Sequence, residues 1–227
     1  MMRLAYWLLT ATLFCLMASC GNNNPAGSQT GNAPDTTKTV QAKTRTIVFF
    51  GNSLTAGYGL ASTEEAFPAI IQNKIDSLNL PYTVVNAGVS GETTSGGVSR
   101  IDWILQQPLD VFVLELGAND GLRGIPVAQT KQNLQTIIDR VQEKYPQAKV
   151  VLAGMQVPPN MGQTYAASFA QIFPDLAQKN NCALVPFLLE GVGGEAALNQ
   201  QDGIHPTAEG ARILAQNVWT VLQPLLR

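Results

Sequence analysis

Five short apolar runs dominate the chain from residue 45 onward: Thr46–Phe50, Thr83–Asn86, Val111–Leu116, Val150–Gly154 and Leu184–Phe187. They are rich in Val, Ile, Leu and Phe and show little alternation of polar with apolar residues. A strand with one wet face alternates, whereas a strand buried on both faces runs apolar throughout, as in parallel sheets. The segments between them carry helical spacing. Pro126 suits a first helical turn, and Val127, Leu134, Ile137, Ile138, Val141 and Tyr145 then recur along one face. Ile213, Leu214, Val218, Val221, Leu222 and Leu225 repeat the pattern at the C-terminus. Strand–helix alternation predicts an α/β domain, a parallel sheet covered by helices on both sides, over residues 45–227. No repeat or second linker interrupts it, and its size suits one domain. In such sheets ligands bind beyond the carboxyl ends of the strands, so the residues just after each run bear the chemistry.

The first 44 residues are different. Arg3 precedes a 14-residue apolar run, Leu4–Met17. Spanning a bilayer takes roughly 20 residues, so this run fits the core of a secretory signal. It ends Met17-Ala18-Ser19-Cys20, which resembles the lipobox of bacterial lipoproteins: a signal peptide over 1–19 and an acylated Cys20. An ordinary cleaved signal with an incidental Cys is the alternative. Gly21, rather than Asp, after the Cys points to the outer membrane of a Gram-negative envelope, facing the periplasm. Residues 21–44 are rich in Asn, Gly, Pro, Ser and Thr and poor in large apolar side chains, which predicts a flexible tether. Of three cysteines, Cys15 then leaves with the signal, Cys20 carries lipid, and Cys182 remains as a small core residue.

Composition removes other classes. Lys and Arg number 14 against 16 Asp and Glu, with no basic block, which argues against nucleic-acid binding. One His and three Cys cannot build the usual zinc sites, and no metal or cofactor is expected. Any mechanism that needs imidazole must use His205, the only histidine.

Four loops carry polar groups to the strand ends. Gly51-Asn52-Ser53-Leu54-Thr55-Ala56-Gly57-Tyr58 follows the first run; its Ser53 can face a cleft or simply cap a helix. Asn86-Ala87-Gly88-Val89-Ser90-Gly91-Glu92-Thr93 follows the second, where Gly91 can bring a backbone N–H close to a ligand or serve as a plain turn. Glu115-Leu116-Gly117-Ala118-Asn119-Asp120-Gly121 follows the third, and Asn119 can donate an amide hydrogen or form a turn. Asp202-Gly203-Ile204-His205-Pro206 precedes the last helix, with Pro206 suited to its first position. An Asp three residues before a His can hold Nδ1–H and leave Nε2 free as a base.

In order and spacing, these four blocks resemble the SGNH (GDSL-type) hydrolase family, and within it the acyl-CoA thioesterase I/lysophospholipase L1/arylesterase subgroup. The resemblance implies a three-layer α/β/α, flavodoxin-like fold with a five-stranded parallel sheet. It makes Ser53 the nucleophile, His205 the general base and Asp202 its orienting carboxylate. The N–H groups of Ser53 and Gly91 and the side-chain amide of Asn119 form the implied oxyanion hole. One position departs from the family pattern: Asn52 stands where Asp is usual.

The resemblance implies a serine esterase acting on aryl or short-chain acyl esters, lysophospholipids and possible thioesters through an acyl-enzyme. Met155–Gly162, Leu122 and Ile125 are candidates for an apolar wall, and Gly193 and Gly194 for a mobile segment. Two alternatives stand beside this one: a carbohydrate O-acetylesterase, and a non-catalytic binding lipoprotein, for which Asn52 is the only hint.

Overall fold

The computed structural model describes residues 44–226. The expected signal peptide, the expected lipidation site Cys20 and the expected tether up to residue 43 lie outside the described residues. The five apolar runs form strands β1 (Arg45–Gly51), β2 (Tyr82–Gly88), β3 (Val111–Glu115), β4 (Lys149–Ala153) and β5 (Ala183–Val185). All pair in parallel, in the order β2-β1-β3-β4-β5. This is the flavodoxin-like order, whose direction of winding reverses beside β1 and opens a crevice at the ends of β1 and β3.

Among the described residues seven α-helices connect and cover the sheet: α1 (Ser53–Ala56), α2 (Phe67–Ser77), α3 (Thr94–Ile104), α4 (Ala118–Leu122), α5 (Val127–Lys144), α6 (Gln163–Asn180) and α7 (Ala208–Leu222). Helices α3, α5 and α6 pack side by side on one face, and α2 pairs with α7 on the other. The periodic positions make these contacts. Leu134, Ile137, Ile138 and Val141 are the buried stripe of α5, and Leu214, Val218 and Leu222 that of α7. Burying an aliphatic side chain of this kind is worth about 1.5–3 kcal/mol, so register and helix rotation are strongly specified.

Four local expectations change. β2 is an edge strand, and Thr83, Val85 and Asn86 are exposed, so burial on both faces holds for the inner strands only. β5 stops at Val185 because Pro186 has no N–H to continue the ladder. Pro126 is the N-cap of α5 and not its first helical residue, and Tyr145 is its C-cap. Pro206 lies before α7, whose N-cap is Thr207; it closes a bridge with Asn199 instead. Cys182 is half-buried against the core, as expected, and burial pushes its thiol up to about 11.

Candidate active site

At the end of β1 the chain turns at once into the single helical turn α1. A methyl group at Gly51 would collide with Thr55 Oγ1 and Glu115 Oε2, so only glycine lets the turn close so tightly. Asn52, not Ser53, is the N-cap: its Oδ1 accepts from Leu54 N at 3.0 Å. Capping therefore does not occupy the serine hydroxyl. Ser53 Oγ instead lies 2.9 Å from His205 Nε2, across 152 positions of sequence.

His205 belongs to a loop pinned at both ends. Asn199 bridges Pro206, Gln200 N donates to His205 O at 2.7 Å, and Thr207 N donates to Leu198 O. Within the loop, Asp202 Oδ1 accepts from the N–H groups of Ile204 (2.9 Å) and His205 (3.0 Å), and Oδ2 meets His205 Nδ1 at 2.7 Å. The imidazole hydrogen bond, aided by these two backbone donors, holds the Asp202 carboxyl down at about 2. A carboxylate on Nδ1 fixes the tautomer that leaves Nε2 as acceptor for the serine proton.

Of the two remaining predicted residues, Asn119 lines the same cleft as Ser53 and His205, whereas Gly91 is not among the lining residues. Gly91 has φ +80°, a left-handed backbone that glycine adopts without strain, and its N–H has no protein acceptor among the described residues. Arg123 donates to Gly91 O at 3.0 Å. Asn119 Nδ2 donates to Glu92 O at 2.9 Å, which orients the amide and leaves its second N–H free. Ser53 N is likewise unused, while Asn52 N, Leu54 N, Thr55 N and Ala56 N all have acceptors.

Ser53, His205 and Asn119 line one cleft of about 540 Å³. Its wall is largely apolar: Leu122, Met155, Val157, Pro158, Phe187 and Leu189 contribute, and Gly193 and Gly194 border it. Ile125, expected on this wall, is not part of it; its carbonyl accepts from Tyr165 instead. Among the described residues, no cluster of His, Cys, Asp and Glu could hold a metal ion.

Three contributors escaped the sequence. The Tyr58 ring packs against the His205 ring, inclined at 45° with centroids 4.6 Å apart. Gln200 Nε2 donates to Tyr58 O (2.8 Å) and Pro206 O (3.0 Å), tying the serine turn to the histidine loop. Glu115 is fully buried at the end of β3 and accepts from Asn52 and Thr55. Burial pushes its carboxyl up to about 7 against the pull of these donors. The one available signal was a charged residue closing an otherwise apolar run.

Comparison with known proteins agrees with this architecture. Residues 49–213 match the GDSL-like Lipase/Acylhydrolase family. The "Esterase TesA" of Pseudomonas aeruginosa is 41% identical over 189 residues, covering 83% of this chain and 92% of its own. The "Thioesterase 1/protease 1/lysophospholipase L1" of Escherichia coli is 38% identical, covering 80% of this chain and 85% of its own. The psychrotrophic esterase EstA from Pseudoalteromonas sp., in a crystal structure described as inhibited by monoethylphosphonate, superposes with a TM-score of 0.75 at 32% identity, over 80% of this chain and 98% of EstA. The chain belongs to the GDSL-like (SGNH) lipase/acylhydrolase family.

Proposed function

We propose that this carboxylic ester hydrolase works through an acyl-enzyme on Ser53. The observation that carries the mechanism is the continuous chain Ser53–His205–Asp202, at 2.9 and 2.7 Å, opening into an apolar cleft. Nε2 of His205 takes the Ser53 proton as Oγ attacks the acyl carbon. The same nitrogen returns the proton to the departing alkoxide or thiolate, then activates water for the second half-reaction. The tetrahedral oxyanion is received by Ser53 N–H, Gly91 N–H and the free N–H of Asn119. Removing one such donor costs about 2.7–4 kcal/mol in the barrier. Asn119→Ala is therefore expected to lower kcat by about 10²–10³-fold with its thermal midpoint little changed. Steady-state kinetics with an aryl ester checks this, and near-normal turnover would remove Asn119 from the oxyanion hole.

The apolar wall supports acyl or aryl esters and lysophospholipids over acetylated sugars, and the names of the relatives support esters, thioesters and lysophospholipids as the substrate range. The Met17–Cys20 segment supports a signal peptide over 1–19, lipidation at Cys20 and a tether to a catalytic domain at 45–227. The enzyme then works at the cell envelope, anchored in the outer membrane and facing the periplasm, where esters and lysophospholipids are the accessible substrates. A serine-directed fluorophosphonate tests the centre of this proposal. The wild-type chain takes up one label per molecule and Ser53→Ala none; equal labelling of both proteins would overturn it.

A further inference from the structure

The fully buried Glu115 carboxylate has no cationic partner: among the described residues no Lys, Arg or His nitrogen pairs with it. A buried carboxylate without a cation persists only if hydrogen bonds replace its water. Here every donor comes from one turn. Oε2 accepts from Asn52 N (3.0 Å), Thr55 N (3.3 Å) and Thr55 Oγ1 (2.7 Å), and Oε1 accepts from Asn52 Nδ2 (2.8 Å). The other end of the Asn52 amide, Oδ1, accepts from Leu54 N and lies 3.4 Å from Ser53 Oγ. The amide is thus fixed in direction, donor toward Glu115 and acceptor toward the nucleophile.

The charged groups on the surrounding elements are engaged elsewhere. On α3 Arg100 binds Glu92 and donates to Gly51 O and Ala87 O. On α4 Asp120 accepts from Thr94. His205 reaches the turn through Ser53 Oγ. The pair also determines which backbone N–H remains available, since Glu115 and Asn52 occupy those of residues 52, 54 and 55 and leave that of Ser53.

An Asp at position 52, the usual residue in the family, would put a second carboxylate oxygen against Glu115 Oε1. Two carboxylates so close resist ionising together; they hold one shared proton near neutrality and lose it, at the cost of mutual repulsion, as the pH rises. The Asn52 amide supplies the same donor with no proton to lose. We propose that Asn52 is a positioning residue: its permanently protonated amide keeps the ionised Glu115 bonded to the nucleophile turn, so the turn holds its catalytic geometry on the alkaline side of neutrality. This rests on Ser53 being the nucleophile.

The test compares wild type, Asn52→Asp, Glu115→Gln and the Asn52→Asp/Glu115→Gln double variant in the full chain. Turnover of an aryl ester and the thermal midpoint are followed from pH 6 to 9.5. Wild-type kcat holds level above neutrality. Asn52→Asp acquires an alkaline limb, losing about tenfold or more in kcat by pH 9.5 relative to wild type, because small displacements of a reacting atom are costly. Glu115→Gln faces Asn52 donor to donor and loses kcat at all pH values with KM little changed. The double variant restores a donor–acceptor pair with the charge on residue 52, so it recovers activity relative to Glu115→Gln and lacks the alkaline limb.

A pH-independent loss in Asn52→Asp, or a double variant whose losses are the product of the singles, overturns the proposal. The thermal midpoints report on the pair without catalysis. If the midpoint of Asn52→Asp falls with pH while its activity does not, the pair exists but does not hold the catalytic turn and the proposal fails; loss of the nucleophile assignment would show separately, as fluorophosphonate labelling that survives Ser53→Ala.

Discussion

Replacing Ser53 by Ala is expected to lower kcat for an aryl ester by about 10⁶-fold, and replacing His205 by Ala by a similar factor. The double variant should lose no more than either single one, because each residue is useless to the reaction without the other. The structural grounds are specific. Ser53 Oγ has the acceptor it needs in His205 Nε2 at 2.9 Å, and the chain contains no second imidazole to replace it. What survives should be the contribution of the oxyanion donors and substrate binding, about 10³–10⁴-fold over water. The hydroxyl's polar neighbours are His205 and Asn52, so Ser53→Ala should fold as wild type does. Single-turnover kinetics on the three variants checks this. Losses that multiply in the double variant, or a His205→Ala enzyme within about a hundredfold of wild type, would mean that another group acts as base.

Asp202→Asn should cost about 10⁴-fold in kcat, although the substitution is isosteric. Oδ1 of Asp202 is committed to the N–H groups of Ile204 and His205, and an acceptor must stay there. The substituted amide therefore turns its NH₂ toward Nδ1 of His205. That nitrogen becomes the acceptor, the ring proton moves to Nε2, and the base that should face Ser53 is lost. Asp202→Ala should differ in kind, because it also releases the two backbone donors and loosens the loop. The lowered carboxyl sets the pH window: interactions that depress Asp202 to about 2 are present above its ordinary value of 3.8 and fade only as the pH falls through about 2. An acid limb of activity nearer neutrality therefore does not arise from Asp202. Kinetics of both variants with matched thermal midpoints provides the check, and an Asp202→Asn enzyme at near-normal turnover would remove Asp202 from its orienting role.

Much of this architecture was legible because its causes are local. Runs such as Val111–Leu116 are short and apolar almost throughout, as an inner parallel strand is, and the stripes of α5 and α7 mark their own buried faces. The blocks that carry Ser53, Gly91, Asn119, Asp202 and His205 stood out because each follows a strand or precedes a helix, while the roles expected of these residues came from the resemblance of the four blocks together to the SGNH family. What was not legible depends on pairs. The exposure of β2 follows from its place at the sheet edge, which no property of Thr83–Asn86 encodes. Asn52 looked like a weakened site until Glu115, 63 positions away, supplied its partner. Tyr58 and Gln200 are ordinary loop residues in sequence, and they matter only because the fold brings the first and last catalytic blocks together.

The Tyr58 ring against His205 has a consequence for the order of chemical events. With the tilted Tyr58 ring against the imidazole at 4.6 Å and Nδ1 held by Asp202, the ring is hindered from turning over between acylation and deacylation. The nitrogen that collects the serine proton is then the one that must dispose of it, and the proton leaves by way of the departing group. Alcohols and thiols whose leaving atom comes within reach of that fixed nitrogen depart readily. A leaving group held out of that nitrogen's reach returns to the acyl carbon, so the tilted contact of Tyr58 with His205 bears on which leaving groups depart as well as on the order of proton transfer.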